Sequence, residues 1–142
     1  MIRHADLLAT RLGGRWRGVL IEGPSGGGKS DLALRAISQG LRLVSDDRTE
    51  VFVSRGRLFG RSPSPLAGLL EVRGLGVTGM VNLPLAEIVI LARCVAAPRA
   101  VDRQPAASVE AMLGIQIPTI DLWPFEASAA LKIILALRHL GV

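Results

Sequence analysis

"GPSGGGKS", residues 23–30, is the stretch whose reading decides the fold. It meets G-x-x-x-x-G-K-[ST] at every fixed position. A compact apolar run ending in its first glycine, "RGVLIEG" (17–23), leads into it and predicts a buried strand. From Lys29 the residues "KSDLALRAISQG" predict a helix: Leu32, Ala33, Ala36 and Ile37 share one face, Asp31 sits in the first turn, and Gly40 ends it. The spacing has a physical reason. Glycines let successive backbone N–H groups turn inward as an anion nest, and the positive end of the following helix reinforces it. Lys29 then reaches the β- and γ-phosphates, and the Ser30 hydroxyl joins the shell of a Mg²⁺ ion. The alternative is a chance glycine-rich turn, which explains neither the strand before nor the helix after. The chain is therefore read as binding a nucleoside triphosphate or a similar polyphosphate.

The bulk numbers frame this reading. With 142 residues, 49% hydrophobic and 20% charged, the chain has the size and composition of one globular domain. A single cysteine, Cys94, allows no internal disulfide and no paired-cysteine metal site, which fits a reducing cytoplasm. The net charge of +5 is carried mainly by arginine, including "RLGGRWR" (11–17), Arg42, Arg48, Arg55, Arg57 and Arg61. Such a balance suits an anionic partner; arginine-rich codon usage accounts for it equally well. The N-terminus lacks a secretory signal, and the apolar windows "LAEIVILARCVAA" and "AALKIILALRHLGV" are shorter than a membrane span and broken by charge. A soluble protein is expected.

Outward from the motif, "LRLVSDD" (41–47) predicts a second short strand, and "TEVFVSRGRLFGR" (49–61) a hairpin about Arg55-Gly56. "LGGRWR" (12–17) predicts a hairpin tip. "SPSPLAGLLEVRGLGVTGMVNLP" (62–84) is rich in Gly and Pro and predicts mostly loop. "LAEIVILARC" (85–94) reads as a buried strand and "APRAVDRQPAA" (97–107) as loop. "SVEAML" (108–113) predicts one or two helical turns, "GIQIPTIDLW" (114–123) an extended segment, and "EASAALKIILALRHL" (126–140) a closing amphipathic helix. Strand, loop, helix and strand followed by hairpins predict an α/β fold, a mixed sheet with helices on its faces.

Two further stretches bear on chemistry. "GLGVTG" (74–79) matches G-x-G-x-x-G, but "VNLP" (81–84) breaks any following helix and Asp102 lies too far on, so a dinucleotide site is rejected. In "RLVSDDRTE" (42–50) a short apolar strand runs into Asp46 and Asp47. After a phosphate loop, one acid at the end of a second buried strand commonly serves the Mg²⁺ shell. A second acid is then free to accept a proton. Consecutive strand residues point oppositely, so both face the phosphates only where the strand ends. A solvated turn is the alternative.

Taken in order, His4, "GVLIEGPSGGGKSDLAL" (18–34), "GLRLVSDD" (40–47), "LLEVRGLGV" (69–77) and "VDR" (101–103) resemble the catalytic domain of the HPr kinase/phosphorylases. The resemblance spans nearly the whole chain and corresponds to short forms without the N-terminal domain. It implies a mixed sheet of the phosphoenolpyruvate carboxykinase-like type over residues 1–142. It also implies a cytoplasmic bacterial kinase that moves the γ-phosphoryl group of ATP to a serine of the phosphocarrier HPr, often reversing this by phosphorolysis. On the same basis Gly23, Pro24, Ser25, Gly26, Gly27, Gly28, Lys29 and Ser30 bind ATP, and Ser30, Glu71 and Asp46 serve Mg²⁺. Asp47 is the base, with His4, Lys29 and Arg103 completing the catalytic set. The family is hexameric. Where many members carry an arginine-rich loop associated with dephosphorylation, this chain has "LWPFEAS" (122–128), so a weakened phosphorolysis is expected.

A different class is an ATP-sensing module that binds a partner without transferring phosphate; paired Asp46 and Asp47 argue against it, since a sensor needs no base. Small-molecule kinases usually add a lid and an acceptor domain, for which the chain is short. A nucleic-acid role has no aromatic-interleaved basic strand behind it. Cys94 is read as core, His139 as surface or a subunit contact, and Trp16 and Trp123 as rim aromatics.

Overall fold

The computed structural model describes residues 1–24, 26–63 and 67–141. Among these residues the chain forms eleven strands and two α-helices. In order they are β1 (Ile2–Arg3), β2 (Ala5–Leu12), β3 (Arg15–Glu22), α1 (Lys29–Ser38), β4 (Arg42–Ser45), β5 (Thr49–Ser54) and β6 (Arg57–Arg61). Then follow β7 (Leu69–Val72), β8 (Gly76–Gly79), β9 (Ala86–Cys94), a 3₁₀ turn (Pro98–Ala100), β10 (Val109–Met112), β11 (Ile115–Leu122) and α2 (Ala129–Leu140).

The main sheet runs β1-β5-β6-β9-β3-β2-β4, and β11 adds to β9 and carries β10 at its side. β3, β9 and β11 are mutually parallel, whereas β2 is antiparallel to both β3 and β4. Direction decides what meets at one edge. β3, β4, β9 and β11 all end there, and β2 begins there, with Ala5 opposite Glu22. In sheets of this kind, ligands bind outside the carboxyl ends of the parallel strands.

Both faces of the sheet are dry. Alternation along the strands sends Leu8, Val19, Ile21 and Leu43 toward α1 and α2, and Leu7, Leu20 and Val44 the opposite way. In β9 one extra residue shifts the register between the Gly18–Ile88 and Val19–Ile90 pairs, so Ile88 and Ile90 reach opposite faces. The helices cover one face. α1 presents Leu32, Ala33 and Ala36, and α2 presents Ala129, Ala130, Ile133, Ile134 and Leu137, each at helical spacing. The other face is filled by strands that curl over it: Val51 and Leu58 from the β5–β6 hairpin, Met112 from β10 and Ile117 from β11.

Two expectations need correction. Residues 62–84 contain a hairpin, β7–β8, in which Leu69 pairs with Gly79 and Val72 with Gly76. Leu70 is its buried anchor in the helix-side core, a single apolar residue that the surrounding Gly and Pro masked. Residues 64–66 of that stretch lie outside the described residues. Residues 108–113 are not helical: Val109–Met112 pair antiparallel with Ile115–Pro118 across a turn at Leu113-Gly114. Both turn residues have positive φ, 50° and 82°, as a two-residue hairpin turn requires. Leucine is an unusual occupant of that position, so the turn carried half its customary signal.

Candidate active site

The edge where these strands end holds the predicted site. β3 stops at Glu22 and the chain turns through Gly23 to Gly28 into α1. Gly26 and Gly28 have φ of 76° and 96°, the left-handed conformations that turn N–H groups inward. The Gly27 N–H donates to the Pro24 carbonyl at 2.9 Å and closes the loop. Gly23 is required for another reason: a Cβ there would lie 2.8 Å from Cβ of Cys94 at the end of β9. Gly23→Ala is therefore expected to cost about 1–3 kcal/mol through overpacking, read as a fall in the midpoint of thermal unfolding. Cys94 is itself partly buried against the core, and burial pushes its thiol up to about 11. It is protonated at neutral pH and unreactive, in keeping with its reading as core. Ser25 lies outside the described residues.

Lys29 opens α1 and is 5% exposed. Its ammonium donates to the carbonyls of Gly23 (2.8 Å) and Pro24 (3.3 Å) and stands 3.5 Å from Oδ1 of Asp47. The Ser30 hydroxyl donates to Oδ1 of Asp46 at 2.8 Å, and the backbone N–H of Glu71 donates to Oδ2 of the same carboxylate at 3.0 Å. One acid thus ties the phosphate loop to the β7–β8 hairpin. Because β4 ends at Ser45, the two acids leave strand alternation behind and serve different partners.

Asp47 itself has φ of 60°, a conformation that Asp and Asn tolerate better than other side chains. It is held there by Asp6, whose Oδ1 accepts the Asp47 N–H at 2.6 Å. Asp6 is wholly buried at the start of β2, and its Oδ2 has no donor in reach. Burial, and then the neighbouring Asp46 charge, raise its carboxyl well above the ordinary range. Sequence reading missed this residue. The available signal was a carboxylate at the first inward position of an otherwise apolar strand, "ADLLAT" (5–10).

Gly26, Gly28, Lys29, Ser30, Asp47 and Glu71 line one cleft of about 330 Å³, with Leu34 and Phe125 among its apolar walls. His4 and Arg103 are not brought into it. His4 is exposed in the bend between β1 and β2 along the same sheet edge, and Arg103 is exposed in the segment before β10. The donors suit Mg²⁺, which takes few protein oxygens and keeps water and phosphate as its other ligands. Ser30 and Asp46 are in hydrogen-bond contact, Glu71 is bonded to Asp46 through its backbone, and all are hard oxygen donors. Among the described residues no three His, Cys, Asp or Glu side chains converge as a metal cage.

Comparisons with known proteins agree with this geometry. Residues 15–94 match the family model described as the HPr Serine kinase C-terminal domain. The chain is 50% identical over 66 residues to an HPr kinase/phosphorylase of Clostridium beijerinckii, covering 46% of this chain and 22% of that protein. It is 46% identical over 67 residues to one from Levilactobacillus brevis, with the same two shares. The chain thus matches about a fifth of the length of these curated relatives. The solved structure of the Hpr(Ser) kinase/phosphatase from Coxiella burnetii superposes with a TM-score of 0.78 at 28% identity, over 97% of this chain and 88% of that one. With the family model spanning more than half of its residues, the phosphate-loop chain described above belongs to the HPr serine kinase C-terminal domain family.

Proposed function

We propose that residues 1–142 form a catalytic unit that transfers the γ-phosphoryl group of ATP to a serine hydroxyl of the phosphocarrier protein HPr. One observation carries this reading: the phosphate-loop lysine has one acid, Asp47, 3.5 Å away, while a second, Asp46, is engaged with Ser30 and the hairpin. A nucleotide sensor needs the second arrangement but not the first.

In the proposed reaction, the loop from Gly23 to Ser30 orients the triphosphate and Lys29 neutralises charge on its terminal groups. Asp47 accepts the proton of the acceptor hydroxyl as its oxygen bonds to the γ-phosphorus and the bond to the β-bridging oxygen breaks. Asp46, Ser30 and Glu71 would hold Mg²⁺, which when bound draws charge from the phosphate oxygens. Roles for His4 and Arg103 rest on the family resemblance alone. The phosphocarrier, the hexameric assembly and a cytoplasmic setting belong to the same proposal; among the described residues no helix is long and apolar enough to cross a membrane.

The phosphorolysis limb is proposed to be weak. The segment after β11 presents Trp123, Phe125 and Glu126, which supply no cation to hold inorganic phosphate as a nucleophile. The test is transfer from γ-labelled ATP with Mg²⁺ to purified HPr of the same organism, followed by return of the labelled product with excess phosphate. Labelled seryl-HPr is expected, with slow phosphate-dependent loss of label. Intact ATP binding without any transfer would favour the sensor, and rapid phosphorolysis would refute the weakened limb.

A further inference from the structure

The segment after β11 places an aromatic, Phe125, in the cleft beside the phosphate loop. Phe125 is 58% exposed, yet its ring lies directly over Gly28: a Cβ at Gly28 would come within 3.0 Å of Phe125 Cε1 and 3.1 Å of Cζ. Trp123 supports the ring edge-on, with centroids 6.2 Å apart and planes at 67°. The loop is also fixed to α1. Arg35 donates to the carbonyls of Pro124 and Glu126 and to Oδ2 of Asp31 in the first turn of the helix. A large apolar ring is thus held rigidly at the mouth of a phosphate loop with much of its surface open to solvent.

Topology says what belongs on that surface. The phosphate loop follows β3, and β9 and β11 lie beside it in parallel order. The loop after β11 therefore flanks the phosphate loop at the carboxyl ends of the strands, where the rest of a nucleotide extends once its phosphates sit on the helix N-terminus. Lys29, Ser30, Asp47 and Glu71 are the polar groups already assigned in the cleft; Phe125 lines the same cleft, on the loop that Arg35 ties to Asp31 of α1. Resting on the phosphate-loop reading above, we infer that Phe125 is the stacking platform for the nucleobase of the bound nucleotide.

Stacking on an aromatic ring contributes to binding of the base and adds nothing for a ligand without one. The experiment is calorimetric titration of the full chain with ADP and with inorganic pyrophosphate, for the wild type, Phe125→Ala and Phe125→Tyr. Phe125→Ala is expected to weaken ADP about ten-fold and leave pyrophosphate unchanged, and Phe125→Tyr to restore ADP. Unchanged ADP affinity in Phe125→Ala overturns the inference, and so does equal weakening of both ligands, which would mark the ring as structural support for the loop. Failure of the wild type to bind either ligand would overturn the phosphate-loop reading as well, so the two failures are separable.

Discussion

Asp47→Asn is expected to lower phosphoryl transfer to HPr by about 10²–10⁴-fold, the usual contribution of a positioned general base, with ATP bound as tightly or more so. The substitution is conservative in every respect except charge. Asn tolerates the φ of 60° as well as Asp does, and its backbone N–H still reaches Asp6. The ion pair with Lys29 at 3.5 Å is lost, which frees the ammonium for phosphate and removes a carboxylate that repels it. A fall in kcat with no rise in the ATP KM is the signature of a group that acts in the transition state. Isotope transfer and calorimetric ATP binding on the same preparations give the check. Transfer by the variant within a few-fold of wild type would remove Asp47 from the mechanism. Asp46→Asn should behave differently, because Asp46 bonds to Ser30 and to the Glu71 backbone. Its loss is expected to raise the Mg²⁺ concentration needed for half-maximal rate, which a metal titration of the rate would show.

The phosphate loop and its strand and helix were legible because their signals are local: fixed glycine spacing, a continuous apolar run and a helical face. The end of the short strand β4 at the two acids was legible for the same reason, since adjacent acids cannot both continue a buried strand. What escaped were two short hairpins whose strands and turns carry weak local signals. Nothing near Val109 says that β10 lies against β11, and the turn that joins them puts Leu113 at positive φ. β7 and β8 are anchored by Leu70, with Val72 and Met80 packed beside it and the Glu71 N–H bonded to Asp46, among residues that otherwise read as loop. His4 and Arg103 illustrate the converse limit. A motif order nominates both, and both are exposed, with no local pattern of their own to mark them.

Asp6 is the residue whose removal should separate positioning from chemistry. Its Oδ1 fixes the backbone of Asp47, and its Oδ2 faces Asp46 without a donor of its own. A neutral carboxyl resolves that geometry, accepting from Asp47 and donating its proton toward Asp46. Asp6→Asn reproduces both bonds with an amide and should keep near wild-type turnover. Asp6→Leu offers no acceptor and leaves the Asp47 N–H unpaired, so that Asp47 is released from its left-handed conformation. Turnover is then expected to fall about 10²-fold, as for a small misplacement of a reacting group, with ATP binding retained. The titration gives an independent readout in EDTA without nucleotide. A carboxyl raised in the folded state holds its proton there while the unfolded chain releases it from about pH 3.9 upward. The wild type therefore loses stability as pH rises above that value, up to the folded-state pKa, and Asp6→Asn has no such group to lose. The melting advantage of the Asn variant should be smallest near pH 4 and grow with rising pH until the Asp6 carboxyl of the folded wild type ionises. An advantage that is flat with pH would show that Asp6 is ionised in the fold; equal turnover of the Asn and Leu variants would show that Asp47 needs no holding.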